Sequence, residues 1–173
     1  MKKAELKEFL EAKVAQYNNT KFIESDPIQV PHQFDKKEDI EIAGFLTATR
    51  AWGNRKSIIN NAKRLMLVLD NTPYDFVLNH SEPDLKKLQP FVHRTFNGDD
   101  CIQFIKSLKH IYLNHSGLEL LFAKHAESDS LQNVKDFWRC DDPCILNSGC
   151  PGVFVSAFLY VSLVINEHGY NLC

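Results

Sequence analysis

Residues 35–69 read DKKEDIEIAGFLTATRAWGNRKSIINNAKRLMLVL, and the fold class follows from them. Ile40, Ala43 and Leu46 recur at helical spacing, as do Ile58, Ile59, Ala62, Leu65, Met66 and Leu69. Apolar positions three and four apart form one stripe along a helix. Asp35 is a good N-cap residue and Glu38 follows three positions on, the pattern of a capping box. The spacing predicts a helix from Asp35 to about Ala51, ended by Trp52-Gly53. A second helix, capped by Asn54, is predicted to run to Leu69.

The same period extends outward. Leu6, Phe9, Leu10, Val14 and Tyr17 predict a helix over 2–17. Pro27 and Pro31 punctuate a polar stretch, so 18–34 reads as an extended loop. Pro73 starts a short helix to about Leu78, and Ser81 starts another that ends before Pro90. Asp99 or Asp100 leads into a long helix carrying Ile102, Ile105, Leu108, Ile111 and Tyr112, broken at Gly117. Leu118 to about Lys124 and Leu131 to about Trp138 complete the set. No strand alternation interrupts residues 1–139. The expected fold is all-α, an irregular multi-helix bundle.

Residues 140–173 differ in composition. They contain no Lys or Arg, three acids (Asp141, Asp142 and Glu167), and four of the five cysteines: Cys140, Cys144, Cys150 and Cys173. Val153 to Ile165 is a nearly unbroken apolar run, too short to span a bilayer upright and open to reading as strand or buried helix. The chain therefore divides into a helical domain, 1–139, and an atypical Cys-rich, base-free tail. Such a break is expected of a domain boundary, of a processing segment, or of a truncated or frame-shifted gene copy.

The formal net charge of −2 supplies no global basic field for nucleic acid, leaving room only for a local basic face. No signal peptide or standard membrane span is read, and the expected location is cytoplasmic. His32, His93 and His125 lack ligand partners at metal spacing, and His110 and His115 are expected on different helix faces. Cys140, Cys144 and Cys150, with His168 or Cys173, are irregularly spaced for a structural zinc site. No metal, cofactor or catalytic residue is assigned. Phosphate-loop and nucleophile-elbow motifs are missing.

Two polar clusters stand out. In Arg50-Ala51-Trp52-Gly53-Asn54-Arg55-Lys56, a helix start lies beside several bases. Such a junction can hold a phosphate, and an aromatic ring can stack on a base. Arg50, Trp52, Asn54, Arg55, Lys56, Lys63 and Arg64 are accordingly the candidate nucleic-acid contacts, with DNA the expected partner. The plainer alternative is a Trp52 packed in the core, a Gly53 ending a helix, and bases on a solvated face, as in a protein-interaction or structural domain. The second cluster is His93-Arg94-Thr95-Phe96-Asn97-Gly98-Asp99-Asp100, whose acids read as caps and first-turn residues.

Four segments in order, Phe22-Ile23-Glu24-Ser25-Asp26-Pro27-Ile28, Asp39-Ile40-Glu41-Ile42-Ala43-Gly44-Phe45, Ala51-Trp52-Gly53-Asn54-Arg55 and Phe91-Val92-His93-Arg94-Thr95-Phe96, resemble an uncharacterised bacterial family of conserved proteins of unknown function. The resemblance covers about residues 1–138. That family is in turn similar to the helix-hairpin-helix DNA glycosylases, which implies a nucleic-acid association and makes the chain similar to the N-terminal part of that fold. Cys150-Pro151-Gly152-Val153 is only faintly similar to the glycosylase hairpin. Phe154 stands where that hairpin has a second glycine, and no Asp or Lys follows. The resemblance therefore carries no glycosylase active site onto any residue of this chain.

Overall fold

The computed structural model describes residues 2–126. The expected helix over 131–138, the cysteine cluster and the apolar run at 153–165 lie outside them. The described residues form an all-α, multi-helix fold: α1 (Lys3–Tyr17), α2 (Thr20–Ser25), α3 (Lys37–Ala48), α4 (Arg55–Val68), α5 (Pro73–Asn79), α6 (Glu82–Lys86), α7 (Gly98–Asn114) and α8 (Leu118–Ala126). No helix among them is long and apolar enough to cross a membrane.

Helix α3 is the centre. Every residue from Ile40 through Arg50 is buried, so α3 has no solvent side along this stretch, as expected of a helix wrapped by the rest of a core. It packs against α4, α5 and the short 3-10 turns before it, while α5 packs on α7 and α7 on α8. Phe45, Leu46, Leu65, Met66, Leu88, Phe91, Ile105, Leu108 and Leu118 form one continuous cluster. Burial of each such side chain stabilises the fold by about 1.5–3 kcal/mol.

Several local expectations need correction. Residues 18–34 are not an extended loop. They form α2 and two 3-10 turns, Pro27–Gln29 and Pro31–Gln33. Each proline sits at a first-turn position, where its missing N–H costs nothing. Asp35 does not cap α3, whose N-cap is Lys36 without a side-chain bond. The acid that matters there is Asp39, whose Oδ1 accepts from the Tyr74 N–H at 2.8 Å. Asp39 thus caps α5 from across the core. Helix α3 ends at Ala48, not Ala51. Helix α7 is capped by Asn97, not by Asp99 or Asp100, which lie in its first turn. His110 and His115, expected apart, have ring centroids 5.8 Å from each other because α7 ends between them and His115 leaves helical geometry.

The remaining punctuation follows the sequence. Asn54 caps α4, its Oδ1 accepting from Lys56 N–H at 3.0 Å and Ser57 N–H at 3.3 Å. Pro73 begins α5, and Ser81 with Asp84 forms a capping box for α6. Such caps contribute about 1 kcal/mol each. Gly117, with φ +108, turns the chain between α7 and α8.

Candidate nucleic-acid interface

The two polar clusters, forty residues apart in the chain, meet in space. The first is the loop between α3 and α4. Trp52 donates its N–H to the Arg50 carbonyl at 2.8 Å, Gly53 takes φ +117, and Asn54 begins α4. Residues 51 to 57 are all exposed. The second is a tight turn before α7. His93 N–H donates to Phe96 O at 2.8 Å and Phe96 N–H to His93 O at 3.0 Å. Arg94 lies between them in the left-handed region, φ +57.

Arg94 joins the two. A Cβ on Gly53 would lie 2.6 Å from Arg94 Nε and Nη2, so the guanidinium rests in the space that only glycine leaves open. Below it, Asn61 of α4 donates its amide to His93 Nδ1 at 2.8 Å, which places the ring proton on Nε2. That nitrogen is buried and has no hydrogen-bond partner among the described residues. Burial and the nearby Arg50 charge hold the His93 pKa below 6.5.

Arg50 differs from its expected place on the surface. It is only 2% exposed. Nε donates to Leu46 O at 2.7 Å, and the two terminal nitrogens are buried without a partner among the described residues. The guanidinium lies 5.2 Å from the Phe91 ring centre and 5.5 Å from that of Phe96, in the range of cation–π attraction. Burial lowers its pKa to about 10, so it stays charged at neutral pH. Burial also pushes the Cys101 thiol up to about 11, which leaves it protonated and a poor nucleophile.

The other candidate residues reach solvent. Arg55, Lys56, Lys63 and Arg64 are exposed along α4, with Arg64 5.9 Å from the Phe91 ring centre on the side of the 91–97 turn. Arg55 approaches Asp26 at 4.0 Å. Trp52 is 43% exposed, which overturns the reading that packs it in the core. Arg94 was not among the sequence candidates, although a signal for it exists. Residues 42–69 and 85–98 contain no Asp or Glu, and these two stretches are the ones that meet at Gly53 and Arg94. The two stretches offer bases and no carboxylate of their own, and Asp26 beside Arg55 comes from outside them. Among the described residues, no group of three or more His, Cys, Asp or Glu side chains is placed to hold a metal ion.

No curated protein and no solved structure matches the chain. The sequence profile of the family described as "Protein of unknown function (DUF2400)" matches residues 26–140, a span that takes in both loops, Arg50, Trp52 and Arg94. The match covers more than half of the sequence, and the chain belongs to this DUF2400 family.

Proposed function

We propose that the face built from α4 and the 91–97 turn binds the phosphate backbone of a nucleic acid. One observation carries this reading: two acid-free stretches from distant parts of an acidic chain meet where Arg94 lies against Gly53 and Arg64 over the Phe91 ring, with Arg55, Lys56 and Lys63 exposed on the same helix as Arg64. Phosphate neutralisation by such residues releases counterions and supplies most of the sequence-independent affinity. The resemblance of the family to helix-hairpin-helix glycosylases supports the same ligand class. The role is binding, and no catalytic residue is assigned.

The test is a salt titration of oligonucleotide binding by fluorescence anisotropy. Affinity is expected to fall with salt, the logarithmic slope being about −0.7 to −0.9 per phosphate contacted. The double variant Lys56→Glu/Arg64→Glu is expected to lose roughly tenfold or more at 50 mM salt. Absence of binding at low salt, or an unchanged affinity in that variant, rejects the proposal.

A protein-interaction role has one observation on its side. Leu6, Phe9, Leu10, Val14 and Tyr17 along α1 are each more than 40% exposed, and α1 buries none of its residues. If this face is the working surface, Leu10→Asp/Val14→Asp will change the sedimentation of the protein or its co-purifying partners and leave oligonucleotide affinity as it was.

A further inference from the structure

We infer that the ligand of this face is a single-stranded polynucleotide, with Trp52 as the base-stacking residue and Arg94 as its neighbouring anchor. The inference rests on the proposed function and names the ligand more narrowly.

Trp52 is the starting point. A large indole left 43% exposed keeps much apolar surface in water. It forms no ring–ring or cation–π pair in the described structure, and its flanking residues Ala51, Gly53 and Asn54 are exposed too. Yet the loop that carries it is tightly specified. Asn54 caps α4 on one side, Gly53 makes the turn at φ +117, and Arg94 closes over the glycine. His93 and Asn61 bond to each other beneath. The ring is therefore held out on a braced loop.

The chemistry of stacking then selects the ligand. In a duplex, both faces of each base are covered by neighbouring base pairs. An indole on a surface loop gains nothing from them unless a base is unstacked. A single strand offers open base faces, and stacking one on an aromatic side chain is worth roughly ten- to hundredfold in affinity. The planar Arg94 guanidinium, which lies against Gly53, the residue after Trp52, suits either a phosphate oxygen pair or a second stacked base.

Arg50 adds a second reason for an anion at this place. Among the described residues it is a buried cation with no acidic partner, and two of its three nitrogens make no hydrogen bond there. A charge in that environment is costly unless another offsets it. A phosphate arriving over the 51–54 loop would do so through the field, without touching the guanidinium.

The experiment uses the full chain and four probes: a labelled single-stranded 20-nucleotide DNA, the RNA of the same sequence, and each in its duplex form. The single strands are expected to bind at least tenfold more tightly than the duplexes at equal salt. Trp52→Ala is expected to remove roughly tenfold or more of the single-strand affinity, with the duplex affinity and the salt slope held. Arg94→Gln is expected to weaken both. In a Trp138→Phe background Trp52 is the sole tryptophan, and its fluorescence should be quenched by the single strand and not by the duplex. Thermal melting checks that each variant remains folded. Either DNA or RNA as the tighter strand supports the inference and names the source. Equal or stronger duplex binding, or a Trp52→Ala variant that binds single strands as the parent does, overturns it while the general proposal stands. No binding by any probe at low salt overturns both.

Discussion

Tyr112 donates its phenolic hydrogen to Glu41 Oε2 across 2.6 Å, tying the buried middle of α3 to the last turns of α7. Lys37 Nζ lies 3.9 Å from the other carboxylate oxygen, and Lys37 also pairs with Glu119 of α8. Two carboxylates, Glu41 and Glu119, thus fasten three helices. Burial raises the Glu41 pKa above 4.5, against the lowering effects of Tyr112, of Lys37 and of the Leu118 N–H.

The sign of the pH effect follows. A carboxyl whose folded pKa is raised contributes stability that is fully present below its unfolded value and lost as pH rises through the folded one. Glu41→Gln should therefore flatten the stability profile in the window just above pH 4.5. Tyr112→Phe should cost about 1.5–3 kcal/mol near neutral pH, because a buried carboxylate loses its donor. Urea midpoints measured from pH 4 to 7 give both quantities. A Tyr112→Phe variant as stable as the parent would show that the bond contributes nothing net.

Arg50 leads to a prediction of opposite character. A pKa lowered from 12.5 to about 10 corresponds to about 3 kcal/mol set against the charged form. Replacing such a group by an apolar one of similar length is often neutral or stabilising. Arg50→Met should melt at or above the parent temperature. Arg50→Ala should melt below it, since it leaves a cavity between Phe91 and Phe96. Arg50→Met should also bind oligonucleotide several-fold more weakly, because the field of the buried cation is gone. A stabilised variant with full affinity would leave Arg50 a structural residue only.

Much of this architecture was legible in the sequence, and the exceptions have physical causes. The α4 stripe, the Asn54 cap, Pro73 and Gly117 act through local geometry, so their reading survives unchanged. Asp39 does not act locally. It caps α5 through the core, and no spacing rule reveals a partner 35 residues away. Arg50 looked like a surface base because period alone gives α3 a polar side; a helix wrapped by its neighbours has none. Trp52 misled in the other direction, since a tryptophan beside a helix-ending glycine usually packs inward. The partnership of Arg94 with Gly53 was hidden for want of contact information, although the acid-free stretches around both were plain to see.

His93 makes the braced loop sensitive to acid. Burial, first, and the Arg50 charge, second, hold its pKa below 6.5. A base with a depressed folded pKa contributes stability that is present above the unfolded pKa and lost as pH falls through the folded one. Stability should thus decline as pH drops below 6.5, and His93→Gln should lack that component. Glu41 acts in the opposite sense over lower pH, so the comparison needs both variants. If the parent and His93→Gln lose stability in parallel between pH 7 and 5.5, His93 is not the group responsible.

Gly53 and Gly98 separate architecture from function. A Cβ on Gly98 would lie 2.3 Å from the Gln89 carbonyl oxygen and 2.6 Å from Gln89 Cα, a collision with backbone that cannot swing away. Gly98→Ala should therefore cost roughly 3 kcal/mol by overpacking, although its φ is ordinary. The nearest atoms to a Cβ on Gly53 belong to the Arg94 guanidinium, the far end of a flexible side chain, which can move at little cost. What remains is the strain of a non-glycine residue at φ +117, about 1–2 kcal/mol. The variant pays for this in binding, because the guanidinium is displaced from its place against residue 53. Gly53→Ala should thus be the more stable of the two and the poorer ligand binder. Thermal melts and anisotropy on the same preparations decide it, and a Gly53→Ala protein with parental oligonucleotide affinity would remove Arg94 from the interface.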